Sequence, residues 1–262
     1  MIVAAIQKPG YTGNDCVPIF DAITRTHTAD ADEYCVVTQP DHAKVSGAVA
    51  SAFDRQRFPF LDEQLVEAIG LHDYGWVIFD GIAPNPLLPP VLPDGRLRSF
   101  LTTPPEMFLR AWFGSIEHAS QICAAAGVMV SQHFEQLAEF RLESAQDGPD
   151  DTYRLQQFRE NERRRQSALN STLGPQEQSE LLRVLQFCDL ASLYVSCGIH
   201  ESVVLPPLFK GRPLQMRRNG DAVEVLNSPL TAKVKTNCPA FQWKRGSREL
   251  KPNSISIEMI PV

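Results

Sequence analysis

Apolar residues recur at helical spacing in successive segments between residues 41 and 198, and this pattern constrains the fold most strongly. In the first segment, Val45, Val49 and Phe53 share one helical face, as expected for a helix that packs against a core. The segments that we predict to be helical are 41–53, 61–73, 103–126, 128–142, a highly charged segment that contains RENERRRQ and ends near 172, and 175–198. The sequence therefore predicts a helical core over about residues 38–200.

The sequence changes character on both sides of this helical region. Residues 35–37 are β-prone, and the stretches ESVVL, AVEVL, AKVKT and SISIEMI after residue 200 alternate with turn residues, as antiparallel strands do. We expect a mainly α fold class, in which the helical core carries a small antiparallel β unit formed by the N- and C-terminal segments. One domain is expected over 1–262, with the helical core at about 38–200 and a β-rich C-terminal part at about 201–262.

The composition argues against several classes of protein. A formal net charge of -6 is opposite in sign to that of a typical nucleic-acid-binding surface. No apolar run approaches the roughly 20 residues that span a bilayer, and the first residues lack the basic region of a signal peptide. The cysteines are scattered and form no CxxC pair, which suits free thiols in a reducing compartment. We expect a cytoplasmic protein with a small-molecule substrate and no nucleic-acid or membrane partner.

Histidine and aspartate residues recur on the predicted helices or at their ends. They occur in the sequences PDHAK, GLHDYGW, IEHAS, SQHFEQL and FCDLASLY, which place His42, His72, Asp73, His118, His133 and Asp189 in this order. A helical fold builds a metal site in its core from imidazoles and carboxylates on different helices.

Helical periodicity supports an inward orientation for two of these residues. His133 shares a stripe with Val130 and Leu137, and Asp189 lies in line with Leu182 and Leu185. A buried carboxylate is costly unless a cation or a hydrogen-bond donor compensates it. Two ordinary alternatives stay open at this point, because a single histidine on an apolar face is often a core residue and Asp189 could pair with a buried arginine.

The order of these residues resembles that of the HD superfamily of metal-dependent proteins. Its pattern is a histidine on one helix, a His-Asp pair on the next and a distant aspartate on a late helix, and His42, His72, Asp73 and Asp189 match it. The similarity covers about residues 38–200. GLHDYGW also resembles an uncharacterised family of HD-like bacterial proteins. The resemblance implies an HD-like helical core and a phosphohydrolase-like, metal-dependent activity.

With His118 and His133 included, the order is similar to that of HD phosphodiesterases and di-iron HD oxygenases. By that resemblance the chain would bind one or two divalent transition metal ions, iron or manganese first, with zinc, nickel or magnesium as alternatives. Asp73 would bridge two ions and act as the catalytic residue that orients a water molecule. His42, His72 and Asp189 would bind one ion, and His118 and His133 the other. His118 could instead be a surface residue.

The chain departs from the common pattern directly after the His-Asp pair. Many HD proteins continue with HD-x-G-K, whose lysine contacts substrate, but here Tyr74 and Gly75 are followed by Trp76. We expect Lys44, Tyr74 and Trp76 to belong to the substrate pocket, with the proline-rich stretch 80–105 as a long loop near it.

Three functions follow as hypotheses. The first is a metal-dependent hydrolase that acts on a phosphorylated or nucleotide-like small molecule. The second is an HD-type di-iron oxygenase, which an apolar and aromatic pocket around Trp76 would favour. The third is a non-catalytic metal-binding or sensing protein, which a sealed site would favour.

Overall fold

The structure is a computed structural model that describes residues 1–6, 16–169 and 171–262. Its helices are α1 (Ile19–Thr28), α2 (Gln39–Ala50), α3 (Glu63–Gly70), α4 (Val77–Asp80), α5 (Pro105–Ile122), α6 (Ala124–Glu143), α7 (Pro149–Ala168) and α8 (Pro175–Ser196). Short 3-10 helices cover Tyr74–Trp76 and Phe100–Thr102. None of the helices in the described ranges has the length and apolar character that a membrane span needs.

The strands come from both ends of the chain. They are β1 (Ile2–Ala5), β2 (Val17–Pro18), β3 (Glu33–Val37), β4 (Gly81–Ile82), β5 (Asn85–Pro86), β6 (Val203–Val204), β7 (Gln215–Asn219), β8 (Ala222–Leu226), β9 (Val234–Lys244) and β10 (Lys251–Pro261). An eight-stranded sheet has the order β1-β3-β9-β10-β8-β7-β6-β2, and β4 pairs with β5 separately. The pairs β10–β8 and β2–β6 are parallel, so the sheet is mixed.

The expected fold class, a mainly α helical core with a small antiparallel β unit, is therefore wrong. The sheet is large because β9 and β10 are each 11 residues long. Local pattern concealed their length, since β9 contains Pro239 and β10 begins with an exposed, polar stretch. The pairing of β3 with β9, in which Val36 lies opposite Phe241, joins residues too distant in sequence for periodicity to reveal.

The helix boundaries follow local chemistry. Thr38 caps α2 by accepting a hydrogen bond from the backbone of Asp41, and Asp62 caps α3 in the same way through Leu65. Prolines in the first turn begin α5, α7 and α8, where their missing N–H has no cost. The break between α5 and α6 lies at Cys123 and not at Gly127. Helix α1 was not expected.

Helix α2 lies between α3, α8 and strand β9. Gly47 on α2 approaches Gly70 on α3 so closely that an added Cβ on Gly47 would lie 2.8 Å from the Gly70 Cα. Ser46 donates a hydrogen bond to Ser192 on α8 over 3.0 Å. These contacts fix α2, α3 and α8 against one another and so determine where the side chains at their ends meet.

The proline-rich stretch 80–105 holds more structure than the long loop that we expected. It contains the β4–β5 pair, a bridge between Val91 and Leu97 and the 3-10 helix Phe100–Thr102. Two hydrogen bonds tie it to the start of α2: the Ala83 N–H donates to Asp41, and the Gln39 N–H donates to Asp80, each over 3.0 Å.

Candidate metal centre

His42 and His72 are oriented by hydrogen bonds to their own helices. The Nδ1 atom of His42 lies 2.7 Å from the carbonyl oxygen of Gln39, and that of His72 lies 2.8 Å from the carbonyl oxygen of Ile69. A carbonyl oxygen only accepts, so each Nδ1 carries a proton and Nε2 is the ring nitrogen that is left for a metal ion or a carboxylate. This is the arrangement in which a histidine ligates a metal through Nε2.

Asp189 on α8 lies among three imidazoles. Its Oδ1 atom is 3.0 Å from Nε2 of His42 and 3.5 Å from Nε2 of His72. Its Oδ2 atom is 3.8 Å from Nε2 of His133 on α6. Helices that are far apart in sequence thus bring four predicted ligands to one place.

Asp73 completes the cluster. Its Oδ2 atom lies 3.7 Å from Nε2 of His42 and 3.6 Å from Nε2 of His72. Donor atoms of His42, His72 and Asp73 lie within 4.8 Å of one another, and so do those of His72, His133 and Asp189. Metal–ligand bonds of about 2.0–2.2 Å would place the donors of one ion at comparable separations. We refer to these five residues as the His/Asp cluster.

The donor set fits a divalent transition metal ion. The Nε2 atom of His72 and the Nδ1 atom of His133 are buried and have no hydrogen-bond partner within the described part of the chain. All three imidazoles are at most 4% exposed, and Asp73 is 6% exposed. Buried carboxylates and unpartnered ring nitrogens are costly unless a cation binds them, and imidazole with carboxylate suits iron, manganese, zinc and nickel.

The charges of the cluster shift the titration of its members. Burial lowers the pKa of His72, but the carboxylates of Asp73 and Asp189 outweigh it and raise that pKa to about 9. Burial alone would raise the pKa of Asp189, yet its hydrogen bond with His42 and the nearby imidazoles of His72 and His133 hold that pKa well below its usual range. Burial raises the pKa of Asp73 and lowers that of His133 to about 4. A cation that binds here would displace the proton of His72.

The sixth predicted ligand, His118, is not brought to the cluster. It is half-buried on α5, and its ring stacks on Tyr74 with a centroid distance of 4.4 Å and an interplanar angle of 23°. Both residues line a surface pocket of about 390 Å³ that none of the five cluster residues lines. The expected pairing of His118 with His133 on a second ion therefore finds no support, because Tyr74 is the aromatic neighbour that His118 packs against.

Of the expected substrate-pocket residues, Trp76 alone lies with the cluster. It lines a cavity of about 360 Å³ together with His42, Asp73, His133 and Asp189. Tyr74 lies beside His118 on the surface pocket instead. The Lys44 ammonium is half-exposed and pairs with Asp41 over 2.8 Å, and Lys44 is not among the residues that line the cavity.

The cavity wall is largely apolar and rich in aromatic rings. Its rings include those of Trp76, Phe100, Phe108, Trp112, Phe134 and Phe140. The rings of Trp112 and Phe134 are stacked at 5.0 Å, and exposed Phe20 stacks on exposed Phe140 at 5.9 Å. The cavity thus runs from the buried cluster to the protein surface.

Sequence reasoning missed most of this wall. Arg141 is the one cation among the described residues that line the cavity, and Asp147 holds it through two bonds of 2.6 and 2.7 Å. Gln39 also lines the cavity, three residues before His42. The spacing of Phe108 and Trp112, one helical turn apart, was a signal of a shared aromatic face, but nothing local showed which side chains they meet.

A comparison with protein families gives one match. The family model described as "Protein of unknown function (DUF3891)" matches residues 26–242, a span that contains the whole His/Asp cluster. No curated protein and no solved structure matches the chain. Because the model covers well over half of the residues, the chain belongs to the DUF3891 family, whose function is unknown.

Proposed function

We propose that the chain is a metal-dependent enzyme of HD type that hydrolyses a small, largely apolar molecule. The observation that carries the proposal is the His/Asp cluster itself, whose donors meet at the buried end of an aromatic cavity. The residue order that resembles the HD superfamily and the spatial meeting of the same residues are separate observations. Together they favour a metal centre over a set of unrelated core histidines.

Four of the cluster residues would hold one ion, namely His42, His72, Asp73 and Asp189. A metal ion bound there would act as a Lewis acid and lower the pKa of a coordinated water molecule. Asp73 belongs to the cluster and also lines the cavity, which supports a role for its carboxylate in orienting that water toward a substrate. His133 is the fifth donor and lies beside Asp189.

The cavity argues for an apolar substrate body. A volume of about 360 Å³ is in the range of small-molecule sites, and apolar side chains, many of them aromatic, make up more than half of the lining residues. Asp147 already neutralises Arg141, so the described residues that line the cavity offer no free lysine or arginine to a phosphate group. A phosphorylated or nucleotide-like substrate would depend on the metal alone for charge compensation.

A second candidate is an HD-type di-iron oxygenase. The aromatic wall around Trp76 favours it because such a wall suits an apolar substrate. His133 favours it because it is an additional metal donor for a second ion. The position of His118, away from the cluster, leaves a second ion with fewer protein ligands. The cavity that reaches the cluster speaks against a sealed, non-catalytic site.

The reaction is tested with protein reconstituted separately with iron, manganese and zinc. Hydrolysis of p-nitrophenyl acetate and p-nitrophenyl phosphate is followed in parallel with oxygen uptake in the presence of a small aromatic substrate. We expect hydrolysis that is lost in Asp73→Asn, with the acetate preferred over the phosphate, and kept in the control His118→Gln. Iron-dependent oxygen uptake without hydrolysis would replace the first candidate by the second.

A further inference from the structure

Two neutral polar groups in the cavity wall have no partner. The Oε1 atom of Gln39 and the Nε1 atom of Trp76 are buried and make no hydrogen bond within the described ranges. Gln39 is 4% exposed and Trp76 is 3% exposed, and both line the cavity that reaches the His/Asp cluster. Unpaired buried polar atoms are rare in proteins because each loses its bond to water without replacement.

Both residues lie within three positions of a cluster residue in the sequence and belong to the segments that carry His42 and Asp73. Gln39 begins α2. Its backbone carbonyl oxygen orients His42, and its backbone N–H donates to the Asp80 carboxylate over 3.0 Å. Trp76 lies in the 3-10 helix that follows the His-Asp pair, and its backbone N–H donates a hydrogen bond to the backbone carbonyl of Asp73 over 3.1 Å. Their backbones are fixed, so both side chains start from defined positions beside the candidate metal ligands.

The kinds of atom define the group that they would recognise. An indole N–H only donates, so Trp76 requires an acceptor, and a glutamine Oε1 accepts, so Gln39 requires a donor. Neither carries charge, and Arg141 is neutralised by Asp147. A carboxamide offers a carbonyl acceptor and an N–H donor side by side, whereas a phosphate offers acceptors alone.

We propose that the cavity binds an aromatic carboxamide, whose carbonyl oxygen accepts from Trp76 and whose N–H donates to Gln39 while its ring lies against Trp112 and Phe134. This inference rests on the proposed function and names the substrate class of that site. Hydrolysis of such a molecule breaks the C–N bond, forms a C–O bond with a water oxygen and passes the acid's proton to the released amine. The products are a carboxylate and an ammonium ion.

The test compares three ligands with the same ring, namely benzamide, benzoate and phenyl phosphate. Binding to the metal-reconstituted protein is measured by isothermal titration calorimetry, without reference to activity. We expect benzamide to bind most tightly, and Gln39→Leu and Trp76→Phe each to weaken it by at least about tenfold, as sites built for hydrogen bonds discriminate. Unchanged benzamide affinity in both variants, or tighter binding of phenyl phosphate, would overturn the proposal.

A matched glutamine separates recognition from a structural role. Gln178 on α8 is also buried, but its Nε2 donates to the Ala125 carbonyl over 3.2 Å. Gln178→Leu should lower the melting temperature and keep benzamide binding, whereas Gln39→Leu should keep or raise the melting temperature and lose binding. The reverse pattern would give Gln39 a structural role and contradict the inference.

Metal content distinguishes failure of this inference from failure of the proposed function. Gln39→Leu and Trp76→Phe should retain the wild-type metal content, because neither residue is among the expected ligands. If metal is retained and benzamide binding does not depend on these residues, the carboxamide inference is wrong and the metal-dependent enzyme stands. If wild-type protein binds no metal, the proposed function fails on its own terms.

Discussion

At the scale of single residues, the buried histidines divide into those that face carboxylates and those that lie among core side chains. His42 and His72 both face carboxylates, whereas His27 on α1 is buried against Phe100, with centroids 5.1 Å apart. The Nδ1 atom of His27 lies 2.9 Å from the Ile23 carbonyl, and its Nε2 atom has no partner within the described ranges. His27 is therefore a core histidine, and its chemistry differs from that of the cluster.

We predict that His27 makes stability fall at acid pH. Burial lowers its pKa to about 4 from 6.5, so between these values the unfolded chain binds a proton that the folded chain does not. The free energy of unfolding is unaffected by His27 above pH 6.5 and falls by up to about 3 kcal/mol as the pH approaches 4. Urea unfolding at pH 7 and pH 4.5 should show a smaller difference in His27→Gln than in the wild type.

An exposed histidine provides the control for this prediction. His200→Gln should change the pH dependence of unfolding less than His27→Gln does, because His200 is largely exposed, although partial burial also lowers its pKa. Equal pH dependence in His27→Gln and the wild type would mean that His27 ionises alike in the folded and unfolded chains.

The sequence predicted the residues of the cluster better than the wall around it. His42, His72, Asp73, His133 and Asp189 were recognisable because their types and order resemble the HD pattern. The position of His118 depends on the ring of Tyr74, which packs against α5 from another element. The cavity wall combines α1, α5, α6 and the 3-10 helix Phe100–Thr102, and no single stretch of sequence shows that meeting.

At the scale of elements, glycine determines how closely the turn after the His-Asp pair approaches α5. A Cβ on Gly75 would lie 2.0 Å from the Ala111 carbonyl oxygen and 2.6 Å from the Ser115 N atom. The N–H of Gly75 donates to the Ser115 hydroxyl over 2.9 Å. The glycine of the HD-x-G pattern thus has a packing role here that is independent of any substrate contact.

We predict that Gly75→Ala destabilises the protein by on the order of 3 kcal/mol, because backbone atoms of α5 must move to admit the methyl group. The displacement should also disturb Asp73 and reduce metal binding. Denaturant unfolding and metal content together check this expectation.

Gly114 offers a matched control on the facing helix. A Cβ on Gly114 would meet the Gly75 Cα at 3.4 Å, an ordinary contact distance, and alanine favours the helix. Gly114→Ala should therefore be tolerated. Similar stability of the two variants would contradict the close packing of the turn on α5.

At the scale of the whole molecule, the helix that carries His42 packs directly against the large sheet. Helix α2 packs against β9, and the Thr231 N–H donates to the Ala52 carbonyl just after α2 over 2.9 Å. Strand β9 lies between β3 and β10, so strands from both ends of the chain support the helix that carries His42. Sequence periodicity indicated the helices but underestimated this sheet.

We predict that the fragment 38–200, which contains all the helices of the cluster, does not fold cooperatively by itself. Removal of β9 exposes the side of α2 that packs against it, where the Cys238 thiol lies 3.8 Å from the Asp41 carbonyl oxygen. Thermal unfolding of the fragment, followed by circular dichroism, should lack the sharp transition of the full chain. A cooperative transition in the fragment would show an independent helical domain and contradict the expected single domain.

We expect the His/Asp cluster to bind a metal ion. Elemental analysis of anaerobically purified protein checks this expectation, with His72→Ala and Asp189→Asn beside the control His118→Gln. Iron, manganese or another transition metal should be bound in the wild type and in His118→Gln and should be lost in the two cluster variants. The absence of metal from the wild type, or equal metal content in all four proteins, would reduce the cluster to buried histidines paired with carboxylates.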